Sequence, residues 1–125
     1  MIHVIKVFLV DNDLITLNKY RQGLENIGYK DIHLFLNGMI CINNLHLKPY
    51  IIFLNHPIDE SSGFDVLKKI KQHHPNIYVV IISNQENVNL AVDVLRNGAF
   101  DYIVKGDNEI SKMSHVIERI FLLDK

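Results

Sequence analysis

Five polar side chains stand where short apolar runs end, and together they have the chemistry of a site: Asp11, Asn12, Asn55, Ser83 and Lys105. Asp11 offers a carboxylate, Ser83 a hydroxyl and Lys105 an ammonium; Asn12 and Asn55 offer amides, which hydrogen-bond but carry no charge. Asn55 is the centre of the set. The run before it, Ile-Ile-Phe-Leu at 51–54, is bounded by turn residues and suits a strand buried on both faces. The run stops at Asn55, and a loop with Pro57, Asp59 and Glu60 follows before Gly63 opens a helical pattern. A polar residue at the carboxyl end of a buried strand sits where open α/β sheets place their ligand sites.

The elements that must position these side chains are legible from periodicity. Residues 4–10 form a β-branched apolar run broken by Lys6, and Asp11-Asn12-Asp13 ends it. Leu17, Tyr20, Leu24 and Ile27 then mark one face of a helix that Gly28 stops. A second strand is expected at 31–36, a turn at Asn37-Gly38, and a helix over 39–47, apolar on most sides and ended by Pro49. The third strand is expected at 50–54, with a helix at 63–74 carrying Phe64, Leu67 and Ile70 and closed by Pro75. A fourth strand follows at 77–82. The next helix, 87–97, puts Val88, Ala91, Val92 and Leu95 on one face, with Gly98 as its stop. The fifth strand falls at 100–104, and Ile110, Met113, Val116, Ile117, Ile120 and Phe121 stripe the last helix.

Five βα units with short connections imply a parallel sheet covered on both faces. The flavodoxin-like strand order 2-1-3-4-5 fits this count, and its ligand site lies at the carboxyl ends of strands 1 and 3. Asp11-Asn12 and Asn55 are therefore expected to meet in space, with Ser83 and Lys105 arriving from strands 4 and 5.

Composition bounds the rest. The 125 residues suit one domain spanning residues 1–125. At 48% hydrophobic and 22% charged residues the chain is globular rather than disordered. A net charge of −1 gives no electrostatic case for nucleic acid or an anionic membrane as partner. No apolar run approaches the roughly 20 residues of a membrane span, and the first residues lack a signal-peptide layout, so a cytoplasmic protein is expected. The single Cys41 lies in an apolar segment and reads as a buried thiol. None of the seven histidines forms a metal-binding pattern; His73 and His74 are adjacent and diverge by about 100° on a helix. His56, beside Asn55, can hydrogen-bond in the pocket or tune docking with pH. Asp13 reads as the cap of the first helix, near Thr16.

The strand-end set, with the segments Val10-Asp11-Asn12-Asp13, Gly63-Phe64-Asp65-Val66-Leu67 and Gly98-Ala99-Phe100-Asp101-Tyr102-Ile103-Val104-Lys105, resembles the response-regulator receiver domain of two-component signalling, the CheY-like superfamily. The resemblance covers essentially the whole chain. It implies that Asp11 and Asn12 match an acidic pair that holds Mg²⁺ with the backbone carbonyl of Pro57. It also implies that Asn55 matches the phosphoacceptor aspartate, Ser83 and Lys105 the phosphoryl-binding pair, and Tyr102 the switch aromatic. In that family a carboxylate attacks the phosphoryl group while the cation neutralises its oxygens.

The departures from the family pattern carry their own expectations. Asn55 has no anionic oxygen and cannot form an acyl phosphate. Asn12 removes a second carboxylate, leaving Asp11 for Lys105 to balance, so Mg²⁺ binding is expected to be weak or lost. Pro57 replaces a polar residue, and Asp59 stands where proline is frequent. Gly106 replaces the proline that usually follows the lysine; a trans bond is expected there, since a non-proline cis bond costs about 2.5–4 kcal/mol. The expectation is a pseudo-receiver that is not an enzyme and has no cofactor. Its partners would be a histidine kinase, an output domain or a second copy in a homodimer, met through the surface of the fourth helix, fifth strand and fifth helix. The alternatives are a phosphorylatable receiver carrying an Asp-to-Asn change, and a small-ligand binder on the same fold. The last lacks a glycine-rich phosphate loop after strand 1.

Overall fold

The computed structural model describes residues 4–56, 63–84, 87–106 and 108–124. The strands are β1 (Lys6–Val10), β2 (Asp31–Phe35), β3 (Ile51–His56), β4 (Tyr78–Ser83) and β5 (Asp101–Val104). They alternate with α1 (Leu14–Ile27), α2 (Gly38–Asn43), α3 (Gly63–His73), α4 (Val88–Arg96) and α5 (Glu109–Leu123). All four strand pairs are parallel, in the order β2-β1-β3-β4-β5. This is the flavodoxin-like arrangement the alternating pattern called for.

Alternation along each strand sorts the core into two layers. Val7, Leu9, Ile51, Phe53, Val80, Ile82 and Ile103 pack under α1 and α5, against Leu17, Tyr20, Leu24, Met113, Val116, Ile117 and Ile120. Phe8, Val10, Ile52, Leu54, Val79 and Ile81 pack on the other face against Cys41, Val66, Leu67, Ile70 and Val94. Each fully buried Leu or Ile in these layers contributes about 1.5–3 kcal/mol. The same alternation puts Asp11 in phase with Val7 and Leu9, and Asn55 in phase with Ile51 and Phe53.

Several boundaries differ from the pattern reading. β1 starts at Lys6 because pairing starts there, opposite Asp31, and Val4 is exposed. β3 does not stop before Asn55. Asn55 pairs with Ile82 and His56 with Ser83, because β4 alongside continues the ladder after the apolar run ends. Asn37 caps α2 rather than making a turn, its Oδ1 accepting the Ile40 N–H at 2.9 Å. The expected long second helix breaks at Asn44 into α2 and a short 3-10 turn, Leu45–Leu47. Cys41 and Leu45 face inward while Met39 and Ile40 are exposed.

The largest difference concerns α4. Its expected inward face leaves Val88, Val92 and Leu95 exposed, at 73%, 39% and 46%, while Val94 is fully buried and Leu90 packs beside it. Apolar residues occupy more than one side of this helix, so periodicity alone could not choose the side that meets the sheet. The stops at Gly28 and Gly98 hold: both have positive φ, 123° and 104°, where glycine carries no Cβ penalty. Pro57, Asp59 and Glu60 lie outside the described residues.

Candidate functional site

The carboxyl ends of β1, β3 and β4 lie side by side, because Val10 pairs with Leu54 and Leu54 with Ile81. Asp11 follows β1 and is 3% exposed. Its backbone N–H donates to the Phe35 carbonyl at 3.1 Å, which fixes it against β2. Both carboxylate oxygens are engaged: Oδ1 accepts the Asp13 N–H at 2.9 Å, and Oδ2 lies 3.3 Å from the Lys105 ammonium. Asn55, 8% exposed, and Ser83, 1% exposed, complete the buried polar floor. The space beneath Asp11 and Asn55, walled by Leu9, Leu17, Tyr20, Phe53 and Ile82, is too tight for a water molecule.

Lys105 is set from β5. Its backbone N–H donates to the Ser83 carbonyl at 2.7 Å, extending the β4–β5 ladder by one bond. Its side chain then crosses to Asp11. Asn12 is exposed, outside the buried part of this set. Asp13 caps α1, as the sequence indicated: its Oδ1 accepts the Ile15 N–H at 3.1 Å and its Oδ2 accepts the Thr16 hydroxyl at 2.7 Å. The Thr16 bond is the main reason its carboxyl is held below the usual carboxylate value.

Two neighbours surround the set. His56 is half-buried at the end of β3, and burial keeps its imidazole below the usual histidine value although Asp65 pulls the other way. Tyr20, on α1, is 4% exposed. Burial raises its phenol strongly, and the negative charges of Glu109 and Asp11 both add to that. Glu109 is a buried acid at the start of α5 that the pattern reading passed over. Its Oε2 accepts the Gly106 N–H at 2.9 Å, and Lys19 stands 3.8 Å from its Oε1. The signal was present: an acid in the first turn of a helix, where the dipole favours it, three residues after Gly106.

Tyr102 sits on β5, half-buried against the α2–α3–α4 layer. It also borders a groove of about 660 Å³ between β5 and α5, walled by Asp101, Val104, Lys112, His115 and Arg119. The groove runs along the edge strand rather than over Asp11.

The sheet order and the strand-end set agree with comparison to known proteins. Residues 7–117 match the family model described as the response regulator receiver domain. The chain belongs to the response-regulator receiver family. This receiver is 28% identical over 102 residues to the transcriptional regulatory protein ZraR of Klebsiella oxytoca, covering 81% of this chain and 23% of that protein. It is 30% identical over 87 residues to the regulatory protein LuxO of Vibrio parahaemolyticus, covering 69% and 19%. The receiver thus spans about a fifth of the length of these curated relatives. Among solved structures it resembles the signal receiver domain of a LuxO repressor protein from Vibrio parahaemolyticus, with a TM-score of 0.84, 28% identity, and 96% and 95% of the two chains covered. The fold is also that of CheY in a CheX–CheY–BeF3–Mg complex from Borrelia burgdorferi, with a TM-score of 0.84, 24% identity, and 94% and 89% coverage. None of the receiver's described helices is long and apolar enough to cross a membrane.

Proposed function

We propose that residues 1–125 form one receiver unit that works as a protein-interaction module without accepting a phosphoryl group. The observation that carries this reading is the amide of Asn55, in the last buried position of β3, beside an Asp11–Lys105 pair that already satisfies its own charge. An amide supplies no carboxylate nucleophile. Ser83 and Lys105 remain in the positions of a phosphoryl-binding pair, and Tyr102 in that of the switch aromatic, with no acceptor to serve them.

The residues present do not suit Mg²⁺. A hard cation favours several anionic oxygens. Here both oxygens of Asp11 are engaged by Asp13 and Lys105, and Asn12 and Asn55 are neutral. The carbonyl of Pro57 lies outside the described residues. The reading therefore takes Mg²⁺ as weak or lost, unlike the Borrelia burgdorferi protein, whose complex holds BeF3 and Mg.

The module acts by contact rather than by turnover, in the cytoplasm. Its contact face is α4, β5 and α5, and its partner a histidine kinase, an output domain or a second copy; nucleic acid and membrane are not touched directly. Support comes from the exposed Val88, Val92 and Leu95 on α4 and from the groove beside β5. Replacing Val92 and Leu95 by glutamate should leave the fold intact and weaken capture of the partner.

The deciding experiment is intact mass after incubation with Mg²⁺ and a small phosphodonor. No change is expected; a gain of about 80 Da, one phosphoryl group, would sink the reading. The second reading, a phosphorylatable receiver carrying an Asp-to-Asn change, is favoured by the survival of Ser83 and Lys105. It requires that Asn55→Asp alone restore uptake.

A further inference from the structure

We propose that Glu109 is a positioning residue for the Asp11–Lys105 pair: by holding the Gly106 amide it sets where the Lys105 ammonium lies. The inference rests on the reading of this pocket as one whose state is fixed without phosphoryl transfer, and it names what fixes it.

Lys105 is bracketed by two backbone bonds. On its own amide, the N–H donates to the Ser83 carbonyl at 2.7 Å. On the next residue, the Gly106 N–H donates to Glu109 Oε2 at 2.9 Å. With both neighbouring peptide groups held, the stem of Lys105 leaves the backbone in one direction, and its ammonium arrives 3.3 Å from Asp11 Oδ2. The second bond exists only because residue 106 is not proline, which has no N–H to give. A β-carbon at Gly106 would meet nothing within 4 Å, so crowding does not hold this turn in place.

Glu109 is suited to the task. It is 6% exposed, so its carboxylate would be costly to bury without partners. It has the Gly106 N–H, the Lys19 ammonium at 3.8 Å, and the first turn of α5 around it. Asn108, the residue in the N-cap position of α5, makes no capping bond with its side chain. Glu109 therefore spends its oxygen on the loop that carries Lys105 rather than on its own helix.

A helix-end acid that merely favours the α5 dipole would act through its charge. A positioning acceptor acts through its oxygen. Nuclear magnetic resonance of the labelled chain separates these, with hydrogen exchange of the Gly106 amide and the Lys105 ammonium resonance as readouts, and no phosphodonor or divalent ion present. In Glu109→Ala the Gly106 amide should exchange roughly tenfold faster, as expected for one lost charge-assisted hydrogen bond, and the Lys105 ammonium resonance should shift and broaden. Glu109→Gln, which keeps the acceptor and drops the charge, should restore both. In a Gly106→Pro background, Glu109→Ala should add no further change at Lys105.

A Lys105 resonance that stays put in a folded Glu109→Ala variant overturns the proposal. So does a glutamine variant that behaves like alanine, or an equal effect of Glu109→Ala with and without proline at 106. Should the alanine variant not fold, the glutamine variant still decides the matter, because a shifted Lys105 there shows that charge and not the bond is what counts. A phosphoryl adduct in the mass experiment would remove the pseudo-receiver reading and leave these readouts standing.

Discussion

The two ends of the sheet each hold a carboxylate between partners, and they are built differently. At the carboxyl end Asp11 is 3% exposed and meets Lys105, itself largely covered, at 3.3 Å. At the amino end Asp124 lies in solvent and accepts two phenol hydroxyls, from Tyr50 and Tyr78, each at 2.5 Å. Tyr50 also stacks on Phe121 with ring centroids 5.5 Å apart, so this clamp fastens the last turn of α5 to the feet of β3 and β4. Burial is what separates the two. A carboxylate out of water depends on each partner it has, and losing one leaves an uncompensated charge. A carboxylate in water can turn to water instead.

The sharpest way to break this comparison is to remove one partner at each end. Lys105→Met should cost about 2–3 kcal/mol, less than a fully enclosed pair would, because Asp11 keeps the Asp13 amide. Urea denaturation reads this directly, and a loss as small as that of a surface pair would mean the pocket is wetter than its geometry implies. Next comes Asn55→Asp, which adds a second carboxylate beside Asp11 with one lysine to balance both. It should lower stability by about 1–2 kcal/mol in the absence of divalent ions. An unchanged denaturation midpoint would show that the pocket tolerates the charge by taking up a proton or water.

Smaller effects belong to the other end. Tyr50→Phe keeps the ring stack and deletes one hydroxyl, and should cost about 0.5–1 kcal/mol. The clamp also has a defined pH range. The Tyr50 and Tyr78 hydroxyls hold the Asp124 carboxyl below its ordinary value of 3.8. The stabilisation from Asp124 is therefore present above 3.8 and is lost as pH falls through the depressed folded value. Burial, and then Asp124, raise the Tyr50 phenol above its ordinary value of 10.0. That contribution is present below 10 and is lost as pH rises through the raised value. Asp124→Asn should thus lower stability at neutral pH, where the charged carboxylate contributes, and change little at acid pH, so that the acid limb of a stability-against-pH curve becomes flatter. An acid limb identical to that of the parent chain would show that the clamp plays no part in it.

Much of the site was legible because strand ends and residue types are local properties. Asp11, Ser83 and Lys105 could be assigned to one edge of a sheet from the order of the runs, and Asp13 to a cap from its spacing to Thr16. Asn12 was grouped with Asp11 through the family resemblance; in the structure it is exposed while Asp11 is buried, a difference that adjacency in sequence does not display. Glu109 went unread because its partner, the Gly106 amide, is a backbone group that composition and periodicity do not display. The inward face of α4 was misjudged for a related reason: Leu90 and Val94 compete with Val88, Val92 and Leu95, and the sheet beneath, not the helix, selects between them.

By itself the sequence determined the βα alternation, the parallel order of the sheet and the chemical types available at its edge, since these follow from patterns within about a dozen residues. It also determined that the last buried position of the central strand carries an amide, which has no carboxylate oxygen to offer. Tertiary structure decided which charges meet. The Asp11–Lys105 pair joins residues 94 positions apart, and Tyr50 reaches Asp124 across 74. Contacts at that separation depend on how layers pack and on which groups lose their water in doing so, and neither quantity is written in any one stretch of chain.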